Sequence, residues 1–144
     1  MGKFLKPAKI VILLQGKHAG KKAVILQNHD NGTNKHSYGH CIVAGIEKYP
    51  RRVKKSMSKK KIALRSDMSV FVKVVNYNHL MPTRYTLDLG DAVKSGLDMA
   101  AFSSPGANAE RPEARKEGRE LVKKELSQRY NAGKNQWFFT PLRF

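Results

Sequence analysis

Apolar positions fall into short blocks over the first 89 residues and take up a helical spacing only near the end of the chain. Lys9 to Gln15 carry a run of aliphatic and β-branched side chains that stops at Gly16, the length and composition of a buried strand. Gly16 to Gly20 reads as a turn. Ala23-Val24-Ile25-Leu26 follows as a second strand, closed by Asp30-Asn31-Gly32, where Asn and Gly tolerate positive φ. Tyr38 to Ile46 reads as a third strand, with Gly39 and Gly45 marking bends or bulges. In Ser69 to Asn76, Val70, Val72 and Val74 alternate with Phe71, Lys73 and Val75, which predicts a fourth. Arg84 to Leu89 predicts a fifth, with Tyr85, Leu87 and Leu89 on one face. Five short strands joined by tight turns indicate a small barrel or sandwich.

Two other stretches break this rhythm. Ser58 to Arg65 suits a short helix. Residues 112–130 suit a longer one: Pro112 fits a first turn, Glu120 and Lys124 stand four apart, and Val122, Leu126 and Tyr130 share a face beside Leu121. Gly118 weakens that helix by about 1 kcal/mol, so docking is expected to hold it. Residues 90–111 between them are rich in Gly, Ala and Ser and read as a loop or linker. The chain thus divides into a β unit at 1–89 with an insertion at 48–65, the linker at 90–111, and a helix with an aromatic tail at 112–144.

Charge changes the picture most. The 144 residues carry 28 Lys and Arg against 11 Asp and Glu, a formal net charge of +17, with a pI near 10.2. Residues 1–87 hold 18 of the basic residues and three acids, whereas residues 88–144 are nearly balanced. Such an excess repels itself in a compact chain until a polyanion screens it. A membrane partner needs a basic amphipathic helix or a lipid anchor. Neither is evident: Lys6 stands where a myristoylation signal needs Ser or Thr, and the run Ile10 to Leu14 is too short for a signal peptide. The expected partner is nucleic acid. Cys41 is the single cysteine, so no internal disulfide forms and a reducing compartment is expected.

The insertion 48–65 concentrates the signal. It carries nine Lys or Arg and no acid, interleaved with Tyr49, Pro50, Val53, Met57, Ile62 and Leu64, so it can anchor to a core while facing phosphate. A nuclear-import signal is compatible with the same run. The glycine loop Gly16 to Lys22 is no nucleotide-hydrolysing P-loop. Only three residues separate its glycines, and Lys22 stands where the Mg²⁺-binding hydroxyl belongs. It is expected instead to expose Lys17, Lys21 and Lys22 to phosphates.

Zinc is not expected at His29, His36, His40 and Cys41, because structural zinc sites usually pair cysteines. The barrel portion has no paired carboxylates, its three acids lying far apart, no nucleophile sits in a recognisable elbow, and five of the 11 acids fall among basic neighbours at 110–125. Catalysis is therefore not expected. The rings of Trp137, Phe138 and Phe139 either pack on the barrel or stack on splayed bases, and a mixed role is expected. The candidate RNA contacts are Lys17, Lys21, Lys22, Arg51, Arg52, Lys54, Lys55, Lys59, Lys60, Lys61, Arg65, Arg84, Lys134 and Arg143.

The stretch from Val11 through Gly16, Gly20, Ala23, Val24 and Ile25 resembles a KOW motif, the strand, glycine loop and strand unit of SH3-like barrels in ribosomal proteins and transcription elongation factors. Three further segments are more specific. These are Asn76 through Pro82 to Tyr85, Val43-Ala44-Gly45-Ile46 leading into Tyr49-Pro50-Arg51, and Gly133-Lys134-Asn135 through Trp137-Phe138-Phe139 to Leu142-Arg143-Phe144. Together they resemble the eukaryotic large-subunit ribosomal protein family numbered twenty-seven, of the "e" type, over residues 1–87 and 129–144. Residues 88–118, with Asp91 and Asp98, depart from it and read as a surface loop.

The resemblance implies an SH3-like barrel with a C-terminal helix and tail. It also implies a cytosolic large-subunit constituent that binds ribosomal RNA beside neighbouring ribosomal proteins, with nuclear and nucleolar passage during assembly. No cofactor, membrane or small-molecule substrate is expected. The alternatives are a KOW-domain regulator or elongation factor that binds RNA or polymerase transiently, and an RNA-processing enzyme.

Overall fold

A computed structural model describes residues 4–96 and 112–143. Its elements are β1 (Lys9–Leu13), β2 (Lys22–His29), β3 (His40–Lys48), α1 (Lys59–Ser66), β4 (Ser69–Asn76), a single 3₁₀ turn (Tyr77–His79), β5 (Leu80–Thr86), α2 (Asp91–Gly96) and α3 (Pro112–Asn131). The strands form one antiparallel sheet in the order β4-β3-β2-β1-β5. Among the described residues β4 and β5 are both edges. The 3₁₀ turn carries the chain from one edge to the other, and no ladder closes the sheet into the expected barrel.

Both faces of the sheet are nonetheless buried. Ile10, Val24, Ile42, Ala44, Ile46, Met68 and Val70 pack with Val93 of α2, Val122 and Leu126 of α3, and Phe138 and Phe139 of the tail. Side chains alternate along a strand, so the next residues turn the other way. Val11, Leu13, Ala23, Ile25, Cys41, Val43, Phe71, Val75 and Leu80, drawn from all five strands, pack together with Leu5 and Tyr77 against them and, among the described residues, none from α1, α2 or α3. Gly45 serves this second face rather than a bulge. A methyl there would stand 2.7 Å from the Phe71 ring and 2.6 Å from the Lys22 carbonyl. The register shifts fall elsewhere, at Lys9/Val11, Ile25/Gln27 and Ile46/Lys48.

The turns follow the sequence. Gly16 and Gly20 take φ of +93° and +79°, a region that costs an L side chain strain, and the Gly20 N–H donates to the Leu13 carbonyl at 2.6 Å. The Tyr77 hydroxyl donates to Asp30 at 2.6 Å and ties the β4–β5 turn to the β2–β3 turn. Burial, with that bond, pushes its pKa up to about 12.

Two differences from the expected elements stand out. The fifth strand begins at Leu80, not Arg84, and accommodates Pro82 because β5 is an edge where a missing N–H costs little. Tyr85 is exposed, while Leu87 and Leu89 are buried beyond the strand's end. The start of the expected linker is helical: α2 buries Val93, and Gly96 lies against Leu121 of α3. The rest of that linker, residues 97–111, lies outside the described residues. On α3 the i,i+4 ion pair that forms is Glu125–Arg129 at 3.5 Å, not Glu120–Lys124.

Candidate nucleic-acid interface

Residues 49–67 leave the sheet at the end of β3 and return to it at β4. The Arg51 N–H donates to the Arg65 carbonyl at 2.7 Å, and the Arg65 guanidinium Nε donates to the Arg52 carbonyl at 2.7 Å. Ser58 caps α1 by accepting from the Lys61 N–H at 3.3 Å. No residue of α1 is buried, and its first turn holds Lys59, Lys60 and Lys61 with no acid. Cations at a helix N-terminus oppose the macrodipole. This helix is thus held in place by few contacts and carries uncompensated positive charge.

Between this segment and the end of α3 runs a groove of about 470 Å³. Arg51, Arg52 and Lys134 stand at its walls, and Ile62, Tyr130 and Phe139 line it. The Tyr130 ring meets Phe139 edge-on, with centroids 5.4 Å apart. Cations flanking an aromatic floor suit a phosphate backbone with an unstacked base.

The candidate cations separate into distinct groups. Arg51, Arg52, Lys54, Lys55, Lys59, Lys60, Lys61, Lys134 and Arg143 are exposed, and their side chains make no hydrogen bond or ion pair. Lys17 pairs with Glu47 at 3.3 Å, and Lys21 donates to the Glu47 carbonyl at 2.8 Å. Arg65 is engaged as described, and Arg84 lies against Tyr85, its guanidinium 5.3 Å from the ring centre.

Lys22 departs from expectation. It is 1% exposed, and its ammonium donates to the Trp137 carbonyl and, at 2.6 Å, to the Thr140 carbonyl. It also stands 4.0 Å from the centre of the Trp137 ring. Burial pushes its pKa below the ordinary lysine value. Lys22 clamps the tail to the sheet and presents nothing to a phosphate.

The tail divides its aromatics between core and surface. Phe138 and Phe139 are buried, whereas Trp137 is exposed and tilted against Tyr85 with ring centres 4.7 Å apart. The rings of His29 and His36 stand 4.8 and 5.1 Å from that of His40, while Cys41 points to the other face of the sheet. Burial pushes the Cys41 thiol up to about 12. Among the described residues no His, Cys, Asp or Glu group is arranged to hold a metal ion.

Comparison with known proteins gives one consistent result. The family described as "Ribosomal L27e protein family" matches residues 10–144. The chain is 49% identical to "Large ribosomal subunit protein eL27B" of Saccharomyces cerevisiae, over all of both chains. It is 50% and 51% identical to "Large ribosomal subunit protein eL27B" and "Large ribosomal subunit protein eL27A" of Schizosaccharomyces pombe, again over all of each chain. With a match that starts in β1 and runs through the basic segment, α3 and the tail, this chain belongs to the Ribosomal L27e protein family.

Proposed function

We propose that this chain is a structural constituent of the cytosolic large ribosomal subunit that binds and stabilises folded ribosomal RNA. A ribosomal protein of this family is a component of the particle and not an enzyme. The observation that carries the reading is the row of unpaired cations from Arg51 to Lys61, standing beside an aromatic-lined groove completed by Lys134. Each phosphate they neutralise releases condensed counterions, and that entropy drives binding. Contacts of this kind fix the RNA's geometry without reading its sequence. Trp137 and Tyr85 offer exposed ring surface for an unstacked base.

Two structural proposals accompany this one. The second face of the sheet is packed by side chains from all five strands, with Leu5, His18 and Tyr77 beside them, and a sheet that curls so that its own strands cover that face supports an SH3-like barrel despite the unpaired edges. Residues 1–89 then form the barrel unit with its insertion at 48–65, residues 90–111 the connection, and 112–144 the docked helix and tail. Neighbouring ribosomal proteins are expected partners on the particle, and nuclear and nucleolar passage is expected during assembly.

The test is sedimentation of tagged chain through a sucrose gradient after a moderate-salt wash, followed by RNA crosslink mapping. Co-migration with large subunits and crosslinks within residues 51–61 are expected. Loss from the particle at moderate salt contradicts the reading.

A further inference from the structure

Because no ladder joins β4 to β5, an opening of about 430 Å³ remains where β4 passes the residues that follow β1. Its walls mix polar and apolar groups: Gln15, His18, Tyr38, Lys73, Asn76 and His79 line it together with Leu13, Val74 and Val75. Lys73 is the odd residue of β4. It shares a strand face with Phe71 and Val75, both buried, so the period of two calls for an apolar side chain. Instead Lys73 is exposed and has no hydrogen bond or ion pair. Its ammonium overhangs the glycine loop, 3.4 Å from where a methyl on Gly16 would stand.

His18 lies beside it, 8% exposed and stacked on Phe71 with ring centres 3.9 Å apart and planes 2° from parallel. Its Nδ1 is buried without a partner. Burial holds the imidazole pKa below 6.5, and Lys21, Lys73 and Lys17 press it the same way. The one opposing acid is Glu47, already paired with Lys17. The opening is thus a recess with one uncompensated cation, Lys73, at its wall and no acid among its lining residues. Its size falls within the roughly 300–1,000 Å³ of ligand-sized pockets.

Resting on the RNA-binding reading above, we infer that this opening is a second RNA site, separate from the groove at Arg51 and Arg52, and that Lys73 holds a backbone phosphate of ribosomal RNA in it. A phosphate there meets the uncompensated charge of Lys73 and lies within the field of Lys17 and Lys21.

The test measures binding of the full chain to deproteinised large-subunit ribosomal RNA as a function of salt, for wild type, Lys73→Ala, Lys73→Arg and Arg51→Ala. Lys73→Ala is expected to lower the magnitude of the log–log salt slope by about one unit, with Lys73→Arg restoring it. Circular dichroism melts check that the exposed substitution leaves the fold intact. A slope unchanged by Lys73→Ala while Arg51→Ala lowers it overturns the second site alone. Failure of the wild-type chain to bind overturns the RNA-binding reading itself.

Discussion

Lys22 and the cations at 51–61 are the same kind of side chain in opposite surroundings. Lys22 is enclosed, with two carbonyls and an indole ring around its ammonium. The side chains of Arg51, Arg52, Lys54, Lys55, Lys59, Lys60 and Lys61 face solvent with no hydrogen bond or ion pair. A buried cation costs free energy unless its donors are met, and Lys22 meets its need within the chain, 115 and 118 residues away. The exposed cations find no such acceptor, so their charge stays available to another molecule. Position in a basic run therefore does not assign a lysine its role. What decides it is whether the fold brings acceptors to it.

This contrast is open to attack from the fold side first. Phe138→Ala empties a fully buried site between the tail and the sheet. It should cost about 4 kcal/mol, read as a lower midpoint in urea unfolding. Lys22→Met keeps the buried stem and removes both charge-assisted hydrogen bonds. It should cost about 2–3 kcal/mol and leave the salt slope of RNA binding unchanged. A lowered slope with unaltered stability would make Lys22 a phosphate contact after all.

The histidines give a pH signature. Burial lowers the pKa of His18 and of His29 below 6.5, with Lys21 adding to the first and His40 to the second. The unfolded chain then takes up protons that the folded chain refuses, so stability rises with pH across that window. Thermal melts should show a Tm that is steady above pH 7 and falls as pH drops below 6.5. A Tm that climbs on acidification would contradict this. Lys60→Ala should have the smallest effect on the fold, within about 0.5 kcal/mol, while flattening the salt slope by about one unit.

Much of this architecture is written locally. The aliphatic run at Lys9, the Gly16 and Gly20 turn, the Ser58 cap and the spacing of Val122, Leu126 and Tyr130 each fix an element by short-range chemistry. What escaped the sequence depends on distant partners. Lys22 reads as exposed beside Lys21 because nothing near it announces Trp137 and Thr140. α2 hides in a Gly-, Ala- and Ser-rich stretch, where the burial of Val93 and the approach of Gly96 to Leu121 leave no periodic apolar pattern to read. Gly45 suggests a bulge, whereas its reason is the Phe71 ring of the adjacent strand. Lys73 left a readable signal, a single charge in a strand register that otherwise turns inward, but strand alternation alone makes it an ordinary polar position. Within the candidate interface, Arg51, Arg52 and the lysines at 54–61 were legible because a run of cations without an acid has no local means of neutralising itself.

The salt dependence of binding to deproteinised large-subunit ribosomal RNA tests the role of that run most directly. The wild-type chain is compared with one in which Arg51, Arg52, Lys59, Lys60 and Lys61 are all replaced by Gln. Removing five phosphate contacts should reduce the slope of log K against log[salt] by about five units, with the thermal midpoint nearly unchanged. Equal slopes for the two chains would contradict the assignment of these cations to RNA.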